Sequence, residues 1–155
     1  MKKAVILHGW GGTPEKGFKP WLKLRLEQHG YRVQIPLLPN TDQPILTEWL
    51  ASLNVAVGEP DEETLLVGHS LGGLLILKYL NALPEGKRIG KAVLVAPVVG
   101  TILDMTDEEK RIIAPWLETP LDPAKIVRSA ASISAFFSDD DPAIPLSSEA
   151  VLRSW

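Results

Sequence analysis

Along the chain, short unbroken apolar runs give way to longer stretches in which apolar residues return every three or four positions. The segments Lys3–Leu7, Tyr31–Ile35, Thr64–Gly68, Ala92–Val95 and Ile133–Phe137 are read as strands, the first of them apolar from Ala4 onward as a doubly covered strand should be. Helical patterns lie between them. Pro20 suits a first turn, followed by Trp21, Leu22, Leu24 and Leu26 among charged residues, with Gly30 as the stop. Leu46, Trp49, Leu50, Leu53 and Val57 mark one face of a second helix, closed by Gly58. A third helix starts after Ser70 and runs up to Pro84. Thr106 and Glu109 have capping-box spacing and open a short helix to about Ala114, while Asp122 and Pro123 read as the cap and first turn of another. Ser147 reads as the cap of a final helix still running at Trp155. Strands alternating with helices predict an α/β fold: a three-layer, doubly wound, mostly parallel sheet in one domain over residues 1–155, with residues 98–123 as a small cap-like insertion.

Composition narrows the function by exclusion. With a net charge of -3 and only the short basic cluster KRIGK at 87–91, read as a solvated loop, the chain offers no basic surface to a phosphate backbone, and no nucleic-acid partner is expected. The acidic EPDEE at 59–63 reads as a solvated turn. The absence of cysteine removes disulfides, thiolate metal sites and a Cys nucleophile, and suits a cytoplasmic protein. The apolar stretch Ala4–Leu7 is too short for a signal peptide and no segment reaches the length of a membrane span, so no membrane partner is expected.

The chemistry centres on Gly68-His69-Ser70-Leu71-Gly72, a G-x-S-x-G pattern with a strand before it and a helix after it. Such a turn strains the Ser backbone and leaves no room for side chains at the flanking positions, which accounts for the glycines. It lifts the Ser70 hydroxyl above the sheet as a nucleophile and places it at a helix N-terminus, where free N–H groups favour developing negative charge. The Leu71 N–H is one expected oxyanion donor. The other is expected from the HGWGG loop after the first strand: Trp10 N–H, with Gly11 in reserve. That loop lacks GxGxxG spacing and a Walker lysine, so no nucleotide cofactor is expected. An orienting acid should follow a later strand. Of Asp139, Asp140 and Asp141, the last is chosen because Pro142 and Pro145 stiffen its loop; three consecutive acids do not give the alternating ligands of a calcium loop, and no metal is expected.

Taken together, HGWGG, GHSLGG, AVLVAPV, PWLETPLDPAKI and FSDDDPAIPL resemble the α/β-hydrolase superfamily, and within it the small serine hydrolases related to retinoblastoma-binding protein nine. The likeness runs over essentially the whole chain. It implies a minimal hydrolase with strand order 2-1-3-4-5, Ser70 as nucleophile, Asp141 as triad acid, and a small-molecule ester or amide as substrate. The pattern departs at one point: the family's triad His follows the acid after a further strand, and residues 142–155 hold no His. This suggests a C-terminally shortened chain lacking a last strand, the His loop and a last helix, with the fifth strand as an uncovered edge.

Three histidines remain. His8 is expected to hold the shape of the oxyanion loop, His29 to end a helix at the wrong end of the sheet, and His69 to point away from Ser70 into a structural role. Two functions compete: a serine hydrolase of small or medium carboxylic esters or amides, with Ile102, Leu103, Ile112, Ile113 and Trp116 shaping an acyl pocket, and a non-catalytic binding module that retains the fold. Trp21 and Trp49 are expected in the core.

Overall fold

Residues 1–155 form, in a computed structural model, a five-stranded sheet with six helices. The elements are β1 (Lys3–Leu7), α1 (Lys19–Gln28), β2 (Arg32–Gln34), α2 (Leu46–Val57), β3 (Thr64–His69), α3 (Leu71–Ala82), β4 (Ile89–Val95), α4 (Asp107–Glu118), α5 (Pro123–Arg128), β5 (Ala130–Phe136) and α6 (Ser147–Arg153). The strand order is β2-β1-β3-β4-β5 and every pairing is parallel. All strands therefore end on one side of the molecule, where an open α/β sheet places its site.

Alternation along β1 explains the layering. Val5 and Leu7 enter a cluster of 26 buried residues shared with α2, α3 and α4, while Ala4 and Ile6 enter a cluster of 5 covered by α1. The asymmetry decides the fate of α1: Phe18, Leu22 and Leu26 pack on the sheet, and Trp21 and Leu24 are each 61% exposed. Trp21 is thus a surface residue, against expectation, because it lies off the stripe spaced by four that faces the strands. By contrast α3 is buried on all sides from Leu71 to Leu80, including Lys78, whose Nζ donates to the Thr119 carbonyl.

Several boundaries move. KRIGK is no loop: β4 begins at Ile89, and the preceding Lys87 and Arg88 pair with Glu59 and Glu62 of the acidic turn, so the two charge clusters neutralise each other. The capping box of Thr106 and Glu109 is present, but α4 continues through Pro115 to Glu118 because Trp116 is drawn into the core at 0% exposure. Asp122 caps α5 by accepting from the Lys125 N–H. Ser147 is the first residue of α6 rather than its cap, and α6 stops at Arg153. The outer edge of β5 is open, and beside it α6 flanks an apolar groove of ≈ 500 Å³ lined by Leu77, Ile133, Phe137, Leu152 and Trp155 among others.

Candidate active site

Ser70 occupies the junction of β3 and α3 with φ 54 and ψ -117, a left-handed conformation that a side-chain-bearing residue adopts only under constraint. The constraint is visible on all sides. The Ser70 N–H donates to Val95 O at 2.9 Å, and its carbonyl accepts from Gly73 and Val98. A Cβ on Gly68 would stand 2.4 Å from Gly72 O, and one on Gly72 would stand 2.5 Å from His8 O. Neither neighbour can yield, since both are backbone. The elbow is therefore clamped between β1 and α3, and the hydroxyl stands at the carboxyl edge of the sheet.

The loop after β1 closes over the elbow at Gly9, where a Cβ would meet Ser70 Cβ at 3.1 Å. This loop is tied to the segment 36–45. Leu38 N–H donates to His8 Nε2 at 3.0 Å, Gly11 N–H donates to Thr41 O at 2.8 Å, and Trp10 Nε1–H donates to Asp42 O at 2.9 Å. The segment is tied down in turn by Trp49 Nε1–H to Pro39 O at 2.7 Å and Trp116 Nε1–H to Pro44 O at 3.0 Å, the two indoles meeting edge to face at 5.3 Å. Two expectations change. The Gly11 amide is committed to Thr41 and cannot serve as an oxyanion donor, and Trp116 with Ile113 belongs to the packed core rather than to a pocket wall. Leu71, as the first residue of α3, keeps an amide without an intrahelical acceptor.

Asp141 lies in the loop after β5. Its Oδ1 accepts from the N–H groups of Ala143 and Ile144 at 2.8 and 2.9 Å, and buried Ile144 anchors the turn. Asp140 instead accepts from the Ser138 hydroxyl on the surface. The Ala143 carbonyl accepts from Leu103 N–H, which joins this loop to the region before α4.

The histidines separate cleanly. His8 is fully buried, donates from Nδ1 to Gly9 O at 2.9 Å once Nε2 is taken by Leu38, and burial lowers its basicity further. Its lone pair is occupied. His29 contacts Arg25 O at the C-terminal end of α1, at the opposite end of the sheet. The His69 ring packs edge-on against Phe18 at 6.2 Å, and its Nδ1 lies 3.6 Å from where a Gly9 Cβ would stand. Desolvation lowers its pKa, the charge of Lys19 adds to this, and Asp141 opposes both. His69 and Asp141 thus share one electrostatic neighbourhood. The bracing role of the 36–45 segment was not anticipated; its prolines carry no sequence signal of which loop they brace.

Comparison with known proteins bears on the fold and the family. A model of the serine hydrolase family matches residues 4–155. The ydeN gene product of Bacillus subtilis is 34% identical over 148 residues, covering 94% of this chain and 74% of that protein, and its crystal structure superposes with a TM-score of 0.88 over 99% of this chain and 80% of that one. Serine hydrolase RBBP9 of Rattus norvegicus is 28% identical over 146 residues, covering 92% of this chain and 74% of that one. Est1E from Butyrivibrio proteoclasticus, solved with ferulic acid bound, shares the fold at 16% identity, with a TM-score of 0.74, 99% of this chain and 75% of that chain covered. A clamped Ser elbow on a 2-1-3-4-5 sheet, matched over nearly the whole chain by a family model and by a relative above 30% identity, makes this chain a member of the serine hydrolase family.

Proposed function

We propose that the protein hydrolyses small or medium carboxylic esters or amides through an acyl-enzyme at Ser70. The strained backbone of Ser70, held by glycines whose replacement would drive backbone into backbone, carries the reading. Ser70 Oγ attacks the carbonyl carbon, its proton passes to a base and on to the leaving alcohol or amine, and water then releases the acid. Leu71 N–H and Trp10 N–H receive the oxyanion, and Asp141, held by its two backbone contacts, is the acid that orients the base. Residues 98–123 serve as the cap. His69 directly precedes Ser70 in the chain, and its replacement tests whether it takes the proton.

A second reading, a binding module without turnover, is favoured by one observation: both ring nitrogens of His8 are engaged, so it is not free to take the Ser70 proton. Incubation with a fluorophosphonate, read by intact mass and peptide mapping, separates the two. The hydrolase reading expects an adduct on Ser70 that disappears in Ser70→Ala and forms more slowly in Asp141→Asn. A folded protein that takes no adduct would favour the binding module.

A further inference from the structure

At the end of the sheet opposite Ser70, a cavity of ≈ 630 Å³ opens between the α3–β4 turn and the last turn of α5. Its cations come from two separate stretches: Lys87 and Arg88 lead into β4, and Lys125 and Arg128 belong to α5. The parallel strands β4 and β5 both start here, at the paired Ile89 and Ala130. Their length puts the cavity roughly 20 Å from the edge that carries the elbow.

Four cations share the lining with one carboxylate, Glu85, a local excess of +3 in a chain whose net charge is -3. Neighbours do not discharge it. Lys87 and Arg88 face Glu59 and Glu62, whose side chains are 74% and 73% exposed, so these pairs are weak and exchange readily. Lys125 and Arg128 enter no ion pair. The dipole of α5 accounts for Lys125 and Arg128 by themselves, but not for Lys87 and Arg88, which lie beyond the last turn of α3. A concave site with one sign of charge concentrates ions of the other sign.

The lining also fixes the chemical class. No aromatic side chain borders the cavity, and Leu83 and Pro84 are its only apolar ones, so neither a nucleobase nor an acyl chain gains by entering. Two guanidinium forks and two ammonium groups suit phosphate oxygens, and four cations around one small space suit more than one phosphate.

We propose that this cavity binds a small hydrophilic polyphosphate, with Lys125 and Arg128 as its principal contacts. The site is separate from Ser70 and independent of the hydrolase reading.

The test titrates the isotope-labelled protein with pyrophosphate, with citrate and with ADP, read by amide shifts. Pyrophosphate is expected to move the amides of Gly86, Arg88, Arg128 and Ser129 and to leave those of Lys16 and Arg25 in place. It should bind at least about tenfold more tightly than citrate, and ADP should bind no more tightly than pyrophosphate. Arg128→Gln and Lys125→Gln should each weaken binding about tenfold, the scale of one charge-assisted hydrogen bond, while Arg25→Gln leaves it unchanged. Both contacts are unpaired, so the variants should keep the fold. The double variant Glu59→Gln, Glu62→Gln touches neither of them and should tighten binding by releasing Lys87 and Arg88. Shifts spread over every basic patch, equal affinity for citrate, a clear preference for ADP, or affinity unchanged in Arg128→Gln would each overturn the proposal.

Discussion

At the scale of single residues, the two imidazoles near the elbow make stability depend on pH in a stated direction. Burial lowers the pKa of His8, and desolvation followed by Lys19 lowers that of His69, so the unfolded chain binds protons more readily than the folded one below the ordinary value of 6.5. Their stabilising contribution is complete above that value and is lost as the pH falls below it. Denaturant melts at pH 7.5 and 5.5 should show a lower midpoint at the acidic pH, with a slope no steeper than about 1.4 kcal/mol per pH unit for buried His8 and a much smaller share from His69, whose exposure to solvent screens the effect. A midpoint unchanged over this window would refute the assignment of His8 as a neutral, buried brace. The elbow was legible because its motif encodes a backbone demand that only glycine meets. The partner of His69 was not, since the Phe18 ring that receives it belongs to another part of the chain. Nor was the burial of Lys19, whose long apolar stem packs as readily as a leucine.

At the scale of elements, the segment 36–45 looks in the sequence like a turn rich in proline, and in the structure it is the brace of the loop after β1. The indole N–H of Trp116 is one of its fasteners. Trp116→Phe keeps most of the ring but leaves the buried Pro44 carbonyl without its donor, and should cost about 1–3 kcal/mol in a denaturation experiment and slow fluorophosphonate labelling of Ser70. Loss of stability with unchanged labelling would mean that the segment does not transmit to the site. Strand positions could be read because a doubly covered strand is apolar through its buried length, as Ala4–Leu7 is. Helix faces were read less well. In α1 the residues Trp21, Leu22, Leu24 and Leu26 do not fall on one stripe, and only the position of the sheet decides that Phe18, Leu22 and Leu26 are the inner ones.

At the scale of the whole molecule, the parallel order put β5 at an edge, as the sequence implied, and its composition gives that edge no protection. The strand AASISAF carries no charge and no proline, Ala131, Ser132, Ala135 and Phe136 are exposed, and the apolar groove runs alongside. Sedimentation over a range of concentrations should show self-association, which Ser132→Lys suppresses by placing a charge on the edge. A mass that stays monomeric throughout would show the edge to be guarded by other means. The fold class could be read from alternation alone, whereas the pairing of Lys87 and Arg88 with Glu59 and Glu62 could not, because it joins two loops brought together only by the closed sheet.

The crossed indoles of Trp49 and Trp116, 87° apart in plane and 5.3 Å between centres, have an optical consequence. Two chromophores at that separation exchange excitation, and their coupled transitions should give a paired band of opposite signs in the near-ultraviolet circular dichroism. Because each ring also holds one carbonyl of the 36–45 segment, that band would report directly on whether the scaffold under Ser70 is assembled, while exposed Trp21 contributes only a solvent-like emission that remains constant.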